Sequence, residues 1–239
     1  MRTILTAIAA MIFSVPSFSQ NSYLYRASLV QAAPGKLLAL IDVYKSANPE
    51  GSSSGDQAAL WMRHSQGDHW DLLILYPMGS YGAFHQRDRA ARRDSISAEQ
   101  KATRDGLIAW REDTFVYGPP LEEVKKRFAI SGFFHVEMFE SLPGKAGDLL
   151  REREMENNYL RRLKAPDNLI FVRDSGGAWE LFTIGFYRDL KDYANSADRP
   201  IADQQAAAKA AGFEAPSQIG PYLRTLISTH HDTLAVEIK

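Results

Sequence analysis

Six polar residues fall in runs that are otherwise largely apolar and alternating. Arg26 and Ser28 lie in YLYRASLVQ (23–31), and His135 and Glu137 in FFHVEMFES (133–141). Glu112 lies in WREDTFVY (110–117), and His231 in HHDTLAVEI (230–238). Imidazole is the side chain whose ordinary pKa lies nearest neutrality, which makes His135 and His231 the candidate catalytic groups, as proton acceptor or axial ligand. Arg26 offers a fixed positive charge to an anion. Ser28, Glu112 and Glu137 offer hydrogen bonds, and these four are the candidate ligand-binding residues. The same groups have a structural reading: Arg26 would pair with Glu137, and Glu112 with a histidine, because charges taken out of water are usually paired.

Other chemistry is less well supplied. Zinc or non-haem iron needs three or four convergent ligands. Neighbouring strand residues point to opposite faces, so His230 and His231 do not share an ion, and no metal ligand set is assigned. His64 and His69 flank an SQGD turn. Asp113-Thr114 and Asp232-Thr233 read as side chains bonding local backbone, and Trp70 and Trp179 as core. The chain has no cysteine, which removes thiolate nucleophiles and Cys-ligated metal centres. It also has no P-loop, dinucleotide fingerprint, Gly-x-Ser-x-Gly elbow or His-Glu-x-x-His.

The elements that must position these residues come from a duplication. Pro34-Gly35-Lys36 returns as Pro143-Gly144-Lys145, Trp70 as Trp179, and Leu60 and Leu72 as Leu169 and Leu181, each 109 positions on. In each copy an alternating strand leads to Pro-Gly-Lys, with proline placed in the first helical turn. The helix that follows is short in copy one (KLLALIDVYK). In copy two it is long and charged (144–164), and that charge is read as a solvated face. A β-hairpin around a Gly-containing turn comes next in both copies. A polar helix follows (96–107 and 201–213), then a last strand. The stretch NPEGSSSGDQ (48–57) reads as a loop, 120–128 as a helix joining the copies, and Arg87, Arg89, Arg92 and Arg93 as a solvated helix face.

The order strand, helix, strand, strand, helix, strand, twice over, is the ferredoxin-like βαββαβ pattern. The fold class expected is α+β, with two ferredoxin-like repeats packed sheet to sheet as a pseudo-dimeric α/β barrel. Residues 1–19 read as a signal peptide: Arg2, an apolar run Ile4–Val15, Pro16, then small residues Ser17 and Ser19. The remaining organisation is repeat 1 over 20–118, a linker helix over 119–130, and repeat 2 over 131–239. The destination is export, to periplasm or outside the cell, with no membrane association after cleavage. Net charge is −1 with basic and acidic residues interspersed, which leaves no nucleic-acid footprint.

The duplicated pattern resembles the dimeric α/β-barrel superfamily. Pro-Gly-Lys after the first strand and Trp-Asp/Glu before the third resemble its NIPSNAP-like members. The resemblance implies a range of activities, including haem-degrading and quinone-forming monooxygenases, and fixes no reaction. The expectation drawn is a small, partly apolar molecule bound between the two sheets, where the alternate polar sets (Arg26/Ser28, His135/Glu137, Glu112 and His231) would converge. The alternatives are a cofactor-independent or haem-dependent monooxygenase or lyase, with haem on His135 or His231, and a non-catalytic interaction protein. The cofactor is unassigned. One chain completes the barrel, so both monomer and homodimer are open.

Overall fold

The computed structural model describes residues 22–47, 56–94 and 98–238. The leader read over 1–19 and most of the 48–57 stretch lie outside the described residues. The first copy runs β1 (Tyr23–Ala32), α1 (Leu37–Ala47), β2 (Leu60–Gln66), β3 (Leu72–Gly79), short helices α2 (Tyr81–Phe84), α3 (Arg87–Asp94) and α4 (Ala98–Asp105), then β4 (Ile108–Gly118). Helix α5 (Leu121–Ala129) joins it to the second copy. That copy runs β5 (Phe133–Ser141), α6 (Ala146–Arg162), β6 (Leu169–Gly176), β7 (Leu181–Tyr187), α7 (Leu190–Ala194), α8 (Ile201–Ala211), α9 (Ile219–Arg224) and β8 (Ile227–Glu237).

The eight strands close in the order β1-β3-β2-β8-β5-β7-β6-β4. Each copy is a four-stranded antiparallel ferredoxin-like sheet, and the two sheets are joined edge to edge by β2 on β8 and β4 on β6. The expected pseudo-dimeric α+β barrel is the architecture found. Pro34 and Pro143 do not open helices as expected. Lys36 N–H donates to Ala33 O and Lys145 N–H to Leu142 O, both at 2.9 Å, which closes a tight turn before each helix. Gly35 (φ 74°) and Gly144 (φ 77°) take its third position. Proline second and a positive-φ glycine third are the chemistry of a type II turn.

The joints between the copies rest on two more glycines. A β-carbon on Gly67 (φ +123°) would stand 2.3 Å from the Asp232 carbonyl oxygen, and one on Gly176 (φ +76°) 2.6 Å from the Asp113 carbonyl oxygen. Each hairpin thus lays a bare backbone on the other copy's last strand.

The faces of β1 and β5 are reversed from expectation. Tyr25, Ala27 and Leu29, with Phe134, Val136 and Met138, join Met62, Trp70, Leu73, Phe171, Phe182 and Ile184 in one cluster drawn from both copies, which fills the barrel. Arg26, Ser28, His135 and Glu137 therefore point outward, toward the helices. An eight-stranded lumen is just wide enough for its own side chains and sealed from water, so it takes the bulky apolar set. Under the helices, polar groups can find partners on a second element. There α1 packs Leu40, Ile41 and Tyr44 on Val30, Leu72 and Ile74, and α6 packs Leu149 on Phe139 and Leu181. The arginines of α3 are also not simply solvated. Arg89 and Arg93 pair with Asp56 at 2.6 and 3.3 Å, and Arg93 lies 3.7 Å from the centre of the Phe84 ring.

Candidate functional site

The six residues singled out by pattern do not meet. Glu112 and His231 lie on the lumen side, opposite Leu29 and Met138 in register. His231 is at the lumen's end: its Nδ1 is 2.9 Å from the buried Asp68 carboxylate, and its ring lies 4.6 Å from that of Trp179. Arg26 and Ser28 lie under the first copy's helices, and His135 and Glu137 under the second's. No polar convergence between the sheets is present among the described residues, because the apolar cluster occupies that space.

The repeat relates the two outward clusters position by position. Arg26, Ser28, Tyr44 and Tyr76 correspond, 109 residues on, to His135, Glu137, Arg153 and Gly185. Arg111 and Asp113 correspond, 119 residues on, to His230 and Asp232. Copy one is a packed structural network. Arg26 stacks over Tyr76 at 4.3 Å, and Asp113 accepts from the Ser28 hydroxyl and from Arg111 at 2.8 Å. Burial pushes the Asp113 carboxyl up, but the Arg111 and Ser28 hydrogen bonds outweigh it and hold it below the usual carboxylate range.

Copy two is chemically different. His135 Nε2 lies 3.0 Å from Asp232 Oδ1. His230 Nε2 lies 3.5 Å from Glu137 Oε1 and 3.6 Å from Asp232 Oδ2. The other Glu137 oxygen, Oε2, accepts from Thr183 Oγ1 at 3.2 Å and sits 3.5 Å from Arg153. Arg153 is itself gripped by Glu152 (2.6 Å) and Glu156 (2.5 Å). Phe139 lies against both side chains: His230 stacks on it at 4.8 Å, and Arg153 lies 4.9 Å from its centre. His135 and Asp232 form the open margin, Asp232 with 56% of its side chain exposed. Tyr193 lies 5.5 Å from His135 and 5.1 Å from Tyr187.

The electrostatics follow from burial against this pairing. Burial pushes His135 down, but Asp232 and the charge of Glu137 outweigh it and raise it above the ordinary imidazole value. Burial pushes Asp232 up, and its imidazole neighbours bring it net down. Glu156 is pushed up to about 7 by burial, against the pull of Arg153.

Sequence pattern missed Arg153, Glu152 and Glu156, which it placed on a solvated helix face, and Asp232, which bonds His135 rather than local backbone. A signal existed: at the position where copy one has Tyr44, on the apolar face of α1, copy two has Arg153. His230 and His231 do point to opposite faces, as expected, one onto Phe139 and the other onto Trp179.

No family model matches the chain, and no curated protein matches it. Solved structures do. An anthrone oxidase-like protein superposes with a TM-score of 0.57 at 9% identity, covering 92% of each chain. A candidate monooxygenase from Lactobacillus acidophilus NCFM gives 0.54 at 7% identity, covering 90% of this chain and 93% of that one. Another, from Fusobacterium nucleatum subsp. nucleatum, gives 0.52 at 11%, covering 92% and 95%. At such identities the likeness is one of fold. The chain has the ferredoxin-like dimeric α+β-barrel architecture, with both halves in one polypeptide.

Proposed function

We propose that this chain is an oxygen-using oxidoreductase of monooxygenase type, with one reacting centre per chain at His135 and Asp232. The observation that carries the reading is the convergence of two imidazoles and two carboxylates in copy two, open at the His135–Asp232 margin, where copy one has no imidazole but a network of Arg26, Tyr76, Ser28, Arg111 and Asp113. One of the similar structures is an anthrone oxidase-like protein, and that likeness in fold motivates an activated carbon acid as the substrate to test. A ketone methylene flanked by aromatic rings in one fused system loses a proton readily, because its anion is an aryloxide: the central ring becomes aromatic and the charge rests on the former ketone oxygen. That anion transfers electrons to O2, the carbon hydroperoxide forms, and loss of water leaves a carbonyl: R2CH2 + O2 → R2C=O + H2O. The balance closes on O2 as the oxidant. His135 and Asp232, reachable from solvent, are the members of the cluster placed to take the proton, and Tyr187 and Tyr193, whose rings meet edge to face at 82°, offer an aromatic corner for the ring system.

Oxygen uptake with an anthrone-type ketone tests this. The wild-type protein is expected to consume O2 and ketone one to one. His135→Gln and Asp232→Asn are each expected to lower the rate roughly 100-fold, in line with loss of general acid–base chemistry. His231→Gln should leave it unchanged. No uptake, or an equal loss in the His231 variant, would overturn the reading.

Two further proposals stand beside it. The pattern over 1–19 supports an exported protein with Gln20 as the mature N-terminus, which terminal sequencing from the native host decides. The Pro-Gly-Lys and Trp-Asp/Glu motifs support grouping with NIPSNAP-like proteins within this fold.

A further inference from the structure

We propose that the copy-two cluster is a binding site for a divalent transition-metal ion, held by His135, Glu137, His230 and Asp232. The inference rests on the cluster's being the reacting centre, and it names the group that the centre holds. Three independent features carry it.

The first is spacing. The ligating atoms of His135, Glu137 and Asp232 all lie within 4.8 Å of one another. His230 adjoins this group: the adjacent separations are 3.0 Å (His135 Nε2 to Asp232 Oδ1), 3.5 Å (His230 Nε2 to Glu137 Oε1) and 3.6 Å (His230 Nε2 to Asp232 Oδ2), so the two Asp232 oxygens face one imidazole each. Ligand bonds of about 2.1 Å put neighbouring donor atoms roughly 3.0 Å apart at right angles and roughly 3.4 Å apart at the tetrahedral angle. The two longer separations are poor hydrogen bonds and good polyhedron edges.

The second is an orphan. The His230 side chain is only 7% exposed, and its Nε2 is buried without a hydrogen-bond partner, aimed at the two carboxylates. Buried polar atoms rarely go unpaired. The Phe139 ring behind it fixes the imidazole in that direction.

The third is support and charge. Glu137 Oε2 accepts from Thr183 and faces Arg153, which leaves Oε1 turned to the centre, the arrangement by which outer partners orient a metal ligand. Glu137, Glu152 and Glu156 surround a single guanidinium, Arg153, and Asp232 stands beside His135 and His230, so acidic side chains outnumber the one fixed positive charge. Two imidazoles with carboxylates select iron(II), manganese(II) or zinc over magnesium or calcium. A cation there would bind the anionic oxygen of a deprotonated ketone beside the open His135–Asp232 margin; with His135 ligating, the proton would go to the Asp232 oxygen left off the ion. It also revises the absence of a metal ligand set in the sequence reading, which did not see that Asp232 shares a face with His135, Glu137 and His230.

The full-length folded protein, stripped with EDTA, is titrated with ZnCl2 and MnCl2 by calorimetry, and with CoCl2 by visible absorption. One equivalent is expected to bind, with cobalt bands that report nitrogen ligation. His230→Gln and Asp232→Asn should each weaken binding at least 10-fold, with melting curves checked to confirm folding. The double variant Asp68→Asn/His231→Gln, which removes the other His–Asp pair, should bind as wild type. Binding well below one equivalent, cobalt spectra unchanged from the free ion, or binding lost only in the Asp68/His231 variant would overturn the site. Stoichiometric binding without oxygen uptake would sink the oxygenase reading alone. Undiminished uptake by metal-free protein unable to rebind would sink the cation alone.

Discussion

Gly67 and Gly147 show how much a single β-carbon can mean in this chain. At Gly67 it would collide with the Asp232 carbonyl oxygen at 2.3 Å and force φ = +123° on a residue that resists it. Gly67→Ala is therefore expected to cost at least about 2 kcal/mol in urea unfolding. At Gly147, inside α6, nothing lies within 4 Å, and Gly147→Ala should stabilise by up to about 1 kcal/mol. Equal effects at the two positions would contradict the joint. Individual roles were only partly legible in the sequence. His135 was visible because it breaks an apolar alternation. Asp232 was not, because its partner stands 97 residues away on a neighbouring strand. The face that the polar set would take was misjudged because alternation gives two faces without naming the inner one. What names it here is volume: Tyr25, Leu29, Phe134 and Met138 fill a lumen that arginine and glutamate would leave charged and dry.

Helix α6 is fastened at its middle and just beyond its C-terminus. At its middle Arg153, 2% exposed, faces three glutamates. Replacing it by methionine keeps the length and leaves buried carboxylates unpaired, so Arg153→Met is expected to cost about 3–5 kcal/mol. Beyond its C-terminus, Asp167 bridges Arg161, on α6, at 2.8 Å and Arg127, on α5, at 2.6 Å. Burial pushes the Asp167 carboxyl up, but the two guanidinium groups outweigh it and lower it overall. A depressed carboxylate adds stability above its unfolded pKa of ~3.9 and loses it as pH falls through the folded value. Asp167→Asn should thus destabilise by about 1–3 kcal/mol at pH 7, with the gap from wild type closing as pH falls below the unfolded value of ~3.9. A gap independent of pH would show that the clasp is not ionic. The elements themselves were legible almost throughout. Strands and hairpins show in the period and the turn glycines, and the Pro-Gly-Lys turns in their chemistry. The charge of α6 was misread because three of its charged residues, Glu152, Arg153 and Glu156, face each other rather than water.

The whole molecule is two sheets that complete each other. Each alone would expose one wall of the lumen, Tyr25, Leu73 and Val116 on one side and Phe134, Phe182 and Ile184 on the other. The full chain is expected to be a monomer by light scattering. Segments 22–119 and 120–238, produced together, should copurify one to one, while each produced alone should aggregate. A soluble, monomeric half would show that the lumen is not the shared core. This level of organisation was the most legible in the sequence, since a constant offset of 109 residues is a statement about two equal units. The asymmetry between the copies was legible only as substitutions whose meaning depended on the face.

Closure of the ring has a consequence for aggregation. An open sheet ends in rows of unpaired amides and carbonyls that can recruit a foreign strand. Here β2 is bonded on one side to β3 and on the other to β8, and β6 to β7 and β4, so none of the four would-be outer strands has a vacant side. Recruitment by strand addition must wait until a seam unzips. The bulged β2/β8 and β4/β6 pairings, each only four register pairs long, govern how often this fold becomes sticky.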